Sequence, residues 1–331
     1  MIRLRQYVLF IIFLLFTGCQ EDDVFLPEIS EVIENTAVTV WREKQNAWIF
    51  AQMRHNYFWT DQLMDSTDYD YSLEPSAFFK SMLVQEDRFS YCTRYEGYRP
   101  EVKGVDLNET VSFDSVYFVG DKRIGYFVYD EFETEADITD VILKFRRDVI
   151  NELVIDLRDN PGGLVATCVH LASLILPSEH LGDLFCTYRY NRYLSDEYLK
   201  KTGSPFTKDY LNNDILTVSR NLNLQRVFCL VNGFSASCSE LIINSLRPYM
   251  EVVVIGQTTR GKDVGMRTIH SSKYMYELVP ITFRTYNALG DSVPVTGIVP
   301  DIYIQDIAGP PVGDVNEIML KAALDYMEAE E

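Results

Sequence analysis

Residues 226–262 read RVFCLVNGFSASCSELIINSLRPYMEVVVIGQTTRGK. Arg226 to Val231 is a short apolar run of strand length. Mostly small residues follow from Asn232 to Ser239, with Phe234 the exception, and Ser237 to Leu246 carries apolar residues at helical spacing. Val252-Val-Val-Ile-Gly256 is then a second apolar, β-branched strand. A strand, a helix and a strand in this order argue for a parallel β-α-β unit, since parallel neighbours need a crossover and the helix supplies it. The fold class read from this stretch is α/β.

The same grammar extends upstream. Leu153-Val-Ile-Asp-Leu157 is a buried strand closed by Asp159-Asn-Pro-Gly-Gly163, and Leu164 to Leu176 is a helix that stops at Pro177. Ile138 to Ile150 is a helix with Val141, Ile142, Phe145 and Val149 as apolar positions. Val111 to Val119 and Arg123 to Tyr129 have strand composition, with Gly120-Asp121-Lys122 as the turn between them. Downstream, Tyr274 to Tyr286 reads as strand and about Val315 to Met327 as a closing helix. Residues 178–225 are polar and Tyr-rich and read as an insertion over the core. Helices are expected over Val38 to Phe58 and Pro75 to Leu83, with a loop from Asp61 to Leu73. The division is a small helical N-terminal subdomain, 38–110, and a core, 111–331.

With 331 residues, 47% of them hydrophobic, the chain can bury a sizeable core. Its formal net charge of -19 argues against a nucleic-acid partner, which would need a basic stripe. The cysteines Cys92, Cys168, Cys186, Cys229 and Cys238 show no CxxC pair or zinc spacing and read as small core residues. The Asp65–Asp70 cluster lacks the glycine and the terminal glutamate of a calcium loop. No metal and no cofactor is expected.

Three stretches could carry chemistry. Ser237 lies at a helix start, where free backbone N–H groups could stabilise an oxyanion, although serines there are commonly caps. Lys262 ends a glycine-flanked turn after the next strand. Desolvated there, it could lose its proton and serve as a base for a serine. The β-α-β topology brings both strand ends to one edge, so the two side chains could meet. Asp156-Leu-Arg-Asp-Asn-Pro-Gly-Gly163 presents two glycines after a strand, which is either a plain turn or a pair of bare N–H groups offered to a ligand.

Together the three resemble the tail-specific, or C-terminal processing, serine peptidases related to the tricorn protease. That family shows D-L-R-x-N-x-G-G, then S-A-S-x-S-E, then T-x-G-K. Here they are Asp156 to Gly163, Ser235-Ala-Ser-Cys-Ser-Glu240 and Thr259-Arg-Gly-Lys262. Gly297-Ile-Val-Pro-Asp301 is similar to a later element, and Asp87-Arg-Phe-Ser90 to an earlier one, so the likeness covers roughly residues 40–305. It implies a ClpP/crotonase-like β-β-α core, Ser237 as nucleophile and Lys262 as base. The N–H of Cys238 and of Gly162 or Gly163 would form the oxyanion hole, with Glu240 and Asp301 as supporting residues. The substrate would be a polypeptide.

Two departures are visible. Many relatives carry Gln or Glu four residues after the lysine, where this chain has Met266. Methionine is at best a weak acceptor, so a dyad is expected rather than a triad. Relatives usually carry a PDZ domain before the core strands, and residues 91–122 are too few for one. Rival readings are Cys238 as nucleophile with His270 or His55 as base, a peptide- or lipid-binding protein on the core shared with retinoid-binding proteins, and a crotonase-type acyl-CoA enzyme. Ser235 and Ser239 are the alternative serines.

The N-terminus reads as an export signal over residues 1–18: basic Arg3 and Arg5, an apolar run from Tyr7 to Phe16, then Thr17 and Gly18. Phe16-Thr17-Gly18-Cys19 resembles a bacterial lipoprotein processing site, which would lipidate Cys19. Gln20-Glu-Asp-Asp23 resembles the surface-export signals of some Gram-negative lipoproteins. Residues 19–37 would be a tether to the outer membrane, with the domain periplasmic or surface-exposed.

Overall fold

The computed structural model describes residues 26–95 and 110–329. In chain order the elements are α1 (Leu26–Asn56), α2 (Pro75–Ser81), β1 (Tyr91–Arg94), β2 (Val111–Val119), β3 (Lys122–Tyr129), α3 (Ala136–Arg147), β4 (Glu152–Asp156) and α4 (Val165–Ile175). There follow β5 (Leu184–Tyr190), α5 (Arg192–Thr202), β6 (Thr207–Tyr210), α6 (Ile215–Arg220), β7 (Arg226–Val231), α7 (Cys238–Leu246) and β8 (Glu251–Gly256). The last are β9 (Val264–Met266), β10 (Ile269–Ser271), β11 (Tyr276–Val279), β12 (Ile281–Tyr286), β13 (Ile302–Tyr303) and α8 (Ile318–Glu328).

The α/β expectation holds. The main sheet runs β13-β8-β7-β4-β3-β2, parallel except for β2, which pairs antiparallel with β3. Successive strand residues point to opposite faces, and here both faces are covered. On β7, Val227, Cys229 and Val231 enter the cluster formed with α3, α4 and α7. Phe228 and Leu230, from the same strand, enter the cluster with Met319, Leu320 and Ala323 of α8. That two-sided burial is why the strands read as unbroken apolar runs. It also leaves the strand C-termini at one edge, where the loops after β4, β7 and β8 converge.

Two smaller sheets flank this core. One runs β6-β5-β12-β9 and the other β1-β11-β10. Residues 178–225 are therefore more than a cover: β5 pairs with β12, and its Phe185, Cys186 and Tyr188 lie in the main core. The stretch expected as strand from Tyr274 to Tyr286 divides at Pro280, which has no N–H to continue a ladder, and its halves join different sheets.

The N-terminal subdomain is helical only in part. Ile49, Met53, Tyr57, Phe78, Phe79 and Met82 pack together with Leu278 of β11, and β1 pairs with that same strand. Helix α1 begins at Leu26, inside the segment expected as a tether. The export signal and Cys19 lie outside the described residues, as do residues 96–109 of the subdomain. Among the described residues no helix is long and apolar enough to cross a membrane.

Candidate active site

The turn that presents Ser237 is held by its neighbours. Ser235 Oγ donates to Leu157 O at 2.7 Å and accepts from Asn232 N; Ser239 Oγ donates to Asn160 O at 3.0 Å. Both flanking serines are fully buried and committed to backbone groups, so neither offers a free hydroxyl. Ser237 itself stands in front of α7 with φ 57° and ψ −112°, a conformation L-residues rarely adopt. Ser237 in this conformation lines the cleft.

Glu240 explains how the turn is kept there. Its carboxylate is wholly buried on the first turn of α7. Oε2 accepts from Ser237 N at 3.1 Å and Lys262 N at 2.8 Å; Oε1 accepts from Gly261 N at 2.7 Å and Thr259 Oγ1 at 2.5 Å. One side chain thus ties the backbone at Ser237 to the backbone at Lys262. Gly261 is required where it stands: φ is 75°, and a Cβ would meet Val295 O at 2.3 Å.

Lys262 follows on that loop, half-buried. Burial pushes its pKa below the ordinary 10.5, while nearby Cys238 and Glu240 pull it back up. Among the described residues no hydrogen bond or ion pair holds Nζ, which lies 5.5 Å from the centroid of the Phe89 ring. Met266 lies on β9 and lines the same cleft without supplying a strong acceptor.

The glycines after β4 divide their work. Gly162 N donates to Asn160 Oδ1 at 2.9 Å, so its N–H is already used, against the expectation that it could face an oxyanion. Its role is steric: a Cβ there would lie 2.6 Å from Ser237 Cβ and 2.8 Å from Cys238 N. Gly163 N and Cys238 N have no acceptor among the described residues, and both residues line one cavity of 470 Å³ with Ser237 and Lys262. The remaining wall is mostly apolar, with Leu164, Leu241, Val264 and Phe283, and carries one acid, Glu131.

Other expected residues lie elsewhere. Asp301 Oδ2 accepts from Val254 N at 2.8 Å and its own N–H donates to Val254 O, so it fastens β13 to β8 and is no part of the cavity. Asp156 and Arg158 are structural: Arg158 holds Asp156 and reaches Glu317 Oε1 at 2.9 Å in front of α8. His270 stacks on Tyr95 and His55 pairs with Glu197 at 3.3 Å; neither lines the cavity. The Cys238 thiol is buried and donates to Gly163 O. Glu131 and the Phe89 contact had no separate signal in the sequence beyond the quoted Asp87–Ser90 element.

Residues 123–304 match Peptidase family S41, and residues 44–91 match the Peptidase S41 N-terminal domain. Probable CtpA-like serine proteases of Staphylococcus aureus are 27% identical over 207 residues, 62% of this chain and 38% of theirs. A carboxyl-terminal-processing protease of Picosynechococcus is 25% identical over 233 residues, 66% of this chain and 50% of its own. The chain thus spans half or less of the length of these curated relatives. A Bacteroides fragilis protein classed as an S41 protease shares the fold, with a TM-score of 0.71 at 20% identity, covering 86% of this chain and 97% of its own.

Proposed function

Because the chain belongs to peptidase family S41, we propose that it is a serine endopeptidase that cleaves exported polypeptides with Ser237 as nucleophile and Lys262 as base. One observation carries this reading: Ser237, Lys262 and the unpaired N–H groups of Gly163 and Cys238 border a single cavity.

The chemistry follows from those positions. Neutral Lys262 Nζ takes the Ser237 hydroxyl proton as Oγ attacks the substrate carbonyl carbon. The carbonyl oxygen becomes an oxyanion facing the N–H groups of Gly163 and Cys238. The tetrahedral species collapses, the peptide C–N bond breaks, and the lysine ammonium protonates the leaving amine. Water then attacks the acyl-enzyme, Lys262 accepts its proton, and Ser237 Oγ leaves protonated. Lys262 must be unprotonated to act, so activity rises with pH through its pKa. Burial brings that limb below the free-lysine value of 10.5.

Labelling with a serine-reactive fluorophosphonate tests the assignment. Wild type is expected to label and Ser237→Ala not at all, with Lys262→Ala slower by about 10²-fold or more. Label that persists in Ser237→Ala refutes the nucleophile, and an inert wild type from neutral to alkaline pH favours the binding-protein reading. Too few residues lie between Ser90 and Arg123 for a PDZ domain, so a peptide with an amidated C-terminus should be cut as fast as the free acid. The basic, apolar and small-residue order before Cys19 supports a lipid anchor there on the outer membrane. Incorporation of an alkynyl fatty acid, lost in Cys19→Ser, tests it.

A further inference from the structure

We propose that Phe89, on the turn that follows the N-terminal helices, is the positioning residue for Lys262, a task that Met266 of β9 has no strong acceptor to perform. This rests on the dyad reading above.

The turn is built to hold this ring still. Asp87 Oδ1 accepts from Phe89 N at 3.0 Å and Ser90 N at 2.8 Å. Ser90 Oγ accepts from Ile281 N, fixing the turn to β12. Arg88 donates to Gly261 O at 2.6 Å and to Val295 O at 3.0 Å, which fastens it to the loop that carries Lys262. The ring between these anchors belongs to none of the three hydrophobic clusters. Among the described residues two cations approach the ring, Lys262 Nζ at 5.5 Å and the guanidinium of Arg88 at 4.9 Å. Beyond it lies a second cavity of 360 Å³, lined also by Trp59, Asp263 and Arg284. Core packing therefore does not account for an aromatic residue here.

The electrostatics give the ring a task. A π-face attracts an ammonium and falls within reach at about 6 Å or less. It offers no oxygen lone pair, so it steers Nζ without competing strongly for the proton that Lys262 must accept from Ser237. The other charged groups around Lys262 are accounted for. Glu240 is spent on four backbone and hydroxyl donors, Asp263 pairs with Arg284 at 2.6 Å, Arg88 is bound to carbonyls, and Glu131 and Cys238 line the cavity. None of these contacts is made by the Phe89 side chain.

The test reads Lys262 directly. In the full chain, competitive acetylation with acetic anhydride across pH, followed by mass spectrometry of the Lys262 peptide, gives its pKa without requiring turnover. A ring that stabilises the ammonium raises that pKa. Replacing Phe89 by leucine, or by pentafluorophenylalanine of the same shape, should therefore lower it by about half a unit to one unit. Phe89→Tyr should leave it unchanged. In the fluorophosphonate assay the leucine and fluorinated forms should acylate Ser237 about 10-fold more slowly, with the acid limb moved to lower pH. A Lys262 pKa that is the same in all four proteins overturns the proposal. So does acylation at the wild-type rate in the fluorinated form, whose retained shape removes misfolding as an explanation. If the pKa moves as expected while Lys262→Ala acylates like wild type, the dyad reading fails and the Phe89 contact stands.

Discussion

At the scale of single residues, the site depends on groups whose value lies in what they hold. Glu240 is the clearest case, with four donors converging on one buried carboxylate. Glu240→Gln would turn an N–H₂ toward two of them. We expect a loss of about 3 kcal/mol or more, read by urea unfolding, since leaving buried donors unsatisfied exceeds the net value of the bonds. Acylation of Ser237 should fall at least as steeply as in Lys262→Ala. Gly162→Ala places a methyl 2.6 Å from Ser237 Cβ at a φ of 107°. It should destabilise by more than about 1 kcal/mol and abolish labelling by fluorophosphonate. Ser237 and Lys262 could be singled out in the sequence because each sits in a short local motif, and both border one cavity. The choice between Gly162 and Gly163 could not be read there, because it turns on where the Asn160 side chain points. Asp301 was misplaced for a similar reason: a proline-flanked acid looks alike whether it faces a cleft or pins a strand.

At the scale of elements, β2, β3, β4, β7 and β8 of the main sheet were read within a residue or two, since apolar strand composition is a strong signature, whereas the two-residue edge strand β13 was not read at all. The segment 178–225 was harder. β5 pairs with β12, nearly a hundred positions later, and buries the adjacent Phe185 and Cys186 as well as Tyr188, so it shows no clean alternation to read. The Asp156-Leu-Arg158 motif also changes meaning at this scale. Tyr126 OH donates to Asp156, Arg158 bridges Asp156 to Glu317, and Glu317 accepts from Leu320 N at the start of α8. The motif ties the end of β4 to a helix far along the chain. Arg158→Met leaves two carboxylates facing each other in a buried setting. It should cost about 3–5 kcal/mol in denaturant titration. The double change Arg158→Met, Glu317→Gln should recover part of that loss, which separates the ion network from a direct role in the cavity.

For the molecule as a whole, the N-terminal subdomain and the core are one working unit. β1 completes a sheet with β11, Asn191 Nδ2 donates to the carbonyls of His55 and Tyr57, and Arg88 grips the Lys262 loop. A chain begun at residue 96 is expected to expose Leu278, lose that grip and fail to label with fluorophosphonate, even where its far-ultraviolet circular dichroism remains α/β. None of these cross-links shows in local pattern, because their partners are more than a hundred positions apart. The backbone of Ser237 carries a different lesson. Natural selection has tolerated a serine in a conformation that suits glycine, at an expense of about 1–3 kcal/mol to the whole fold. A Ser237→Gly chain should therefore melt at a higher temperature than the wild type, while Ser237→Ala should not. The difference between those two melting points would put a figure on how much thermal endurance this lineage has surrendered to keep a hydroxyl at that turn.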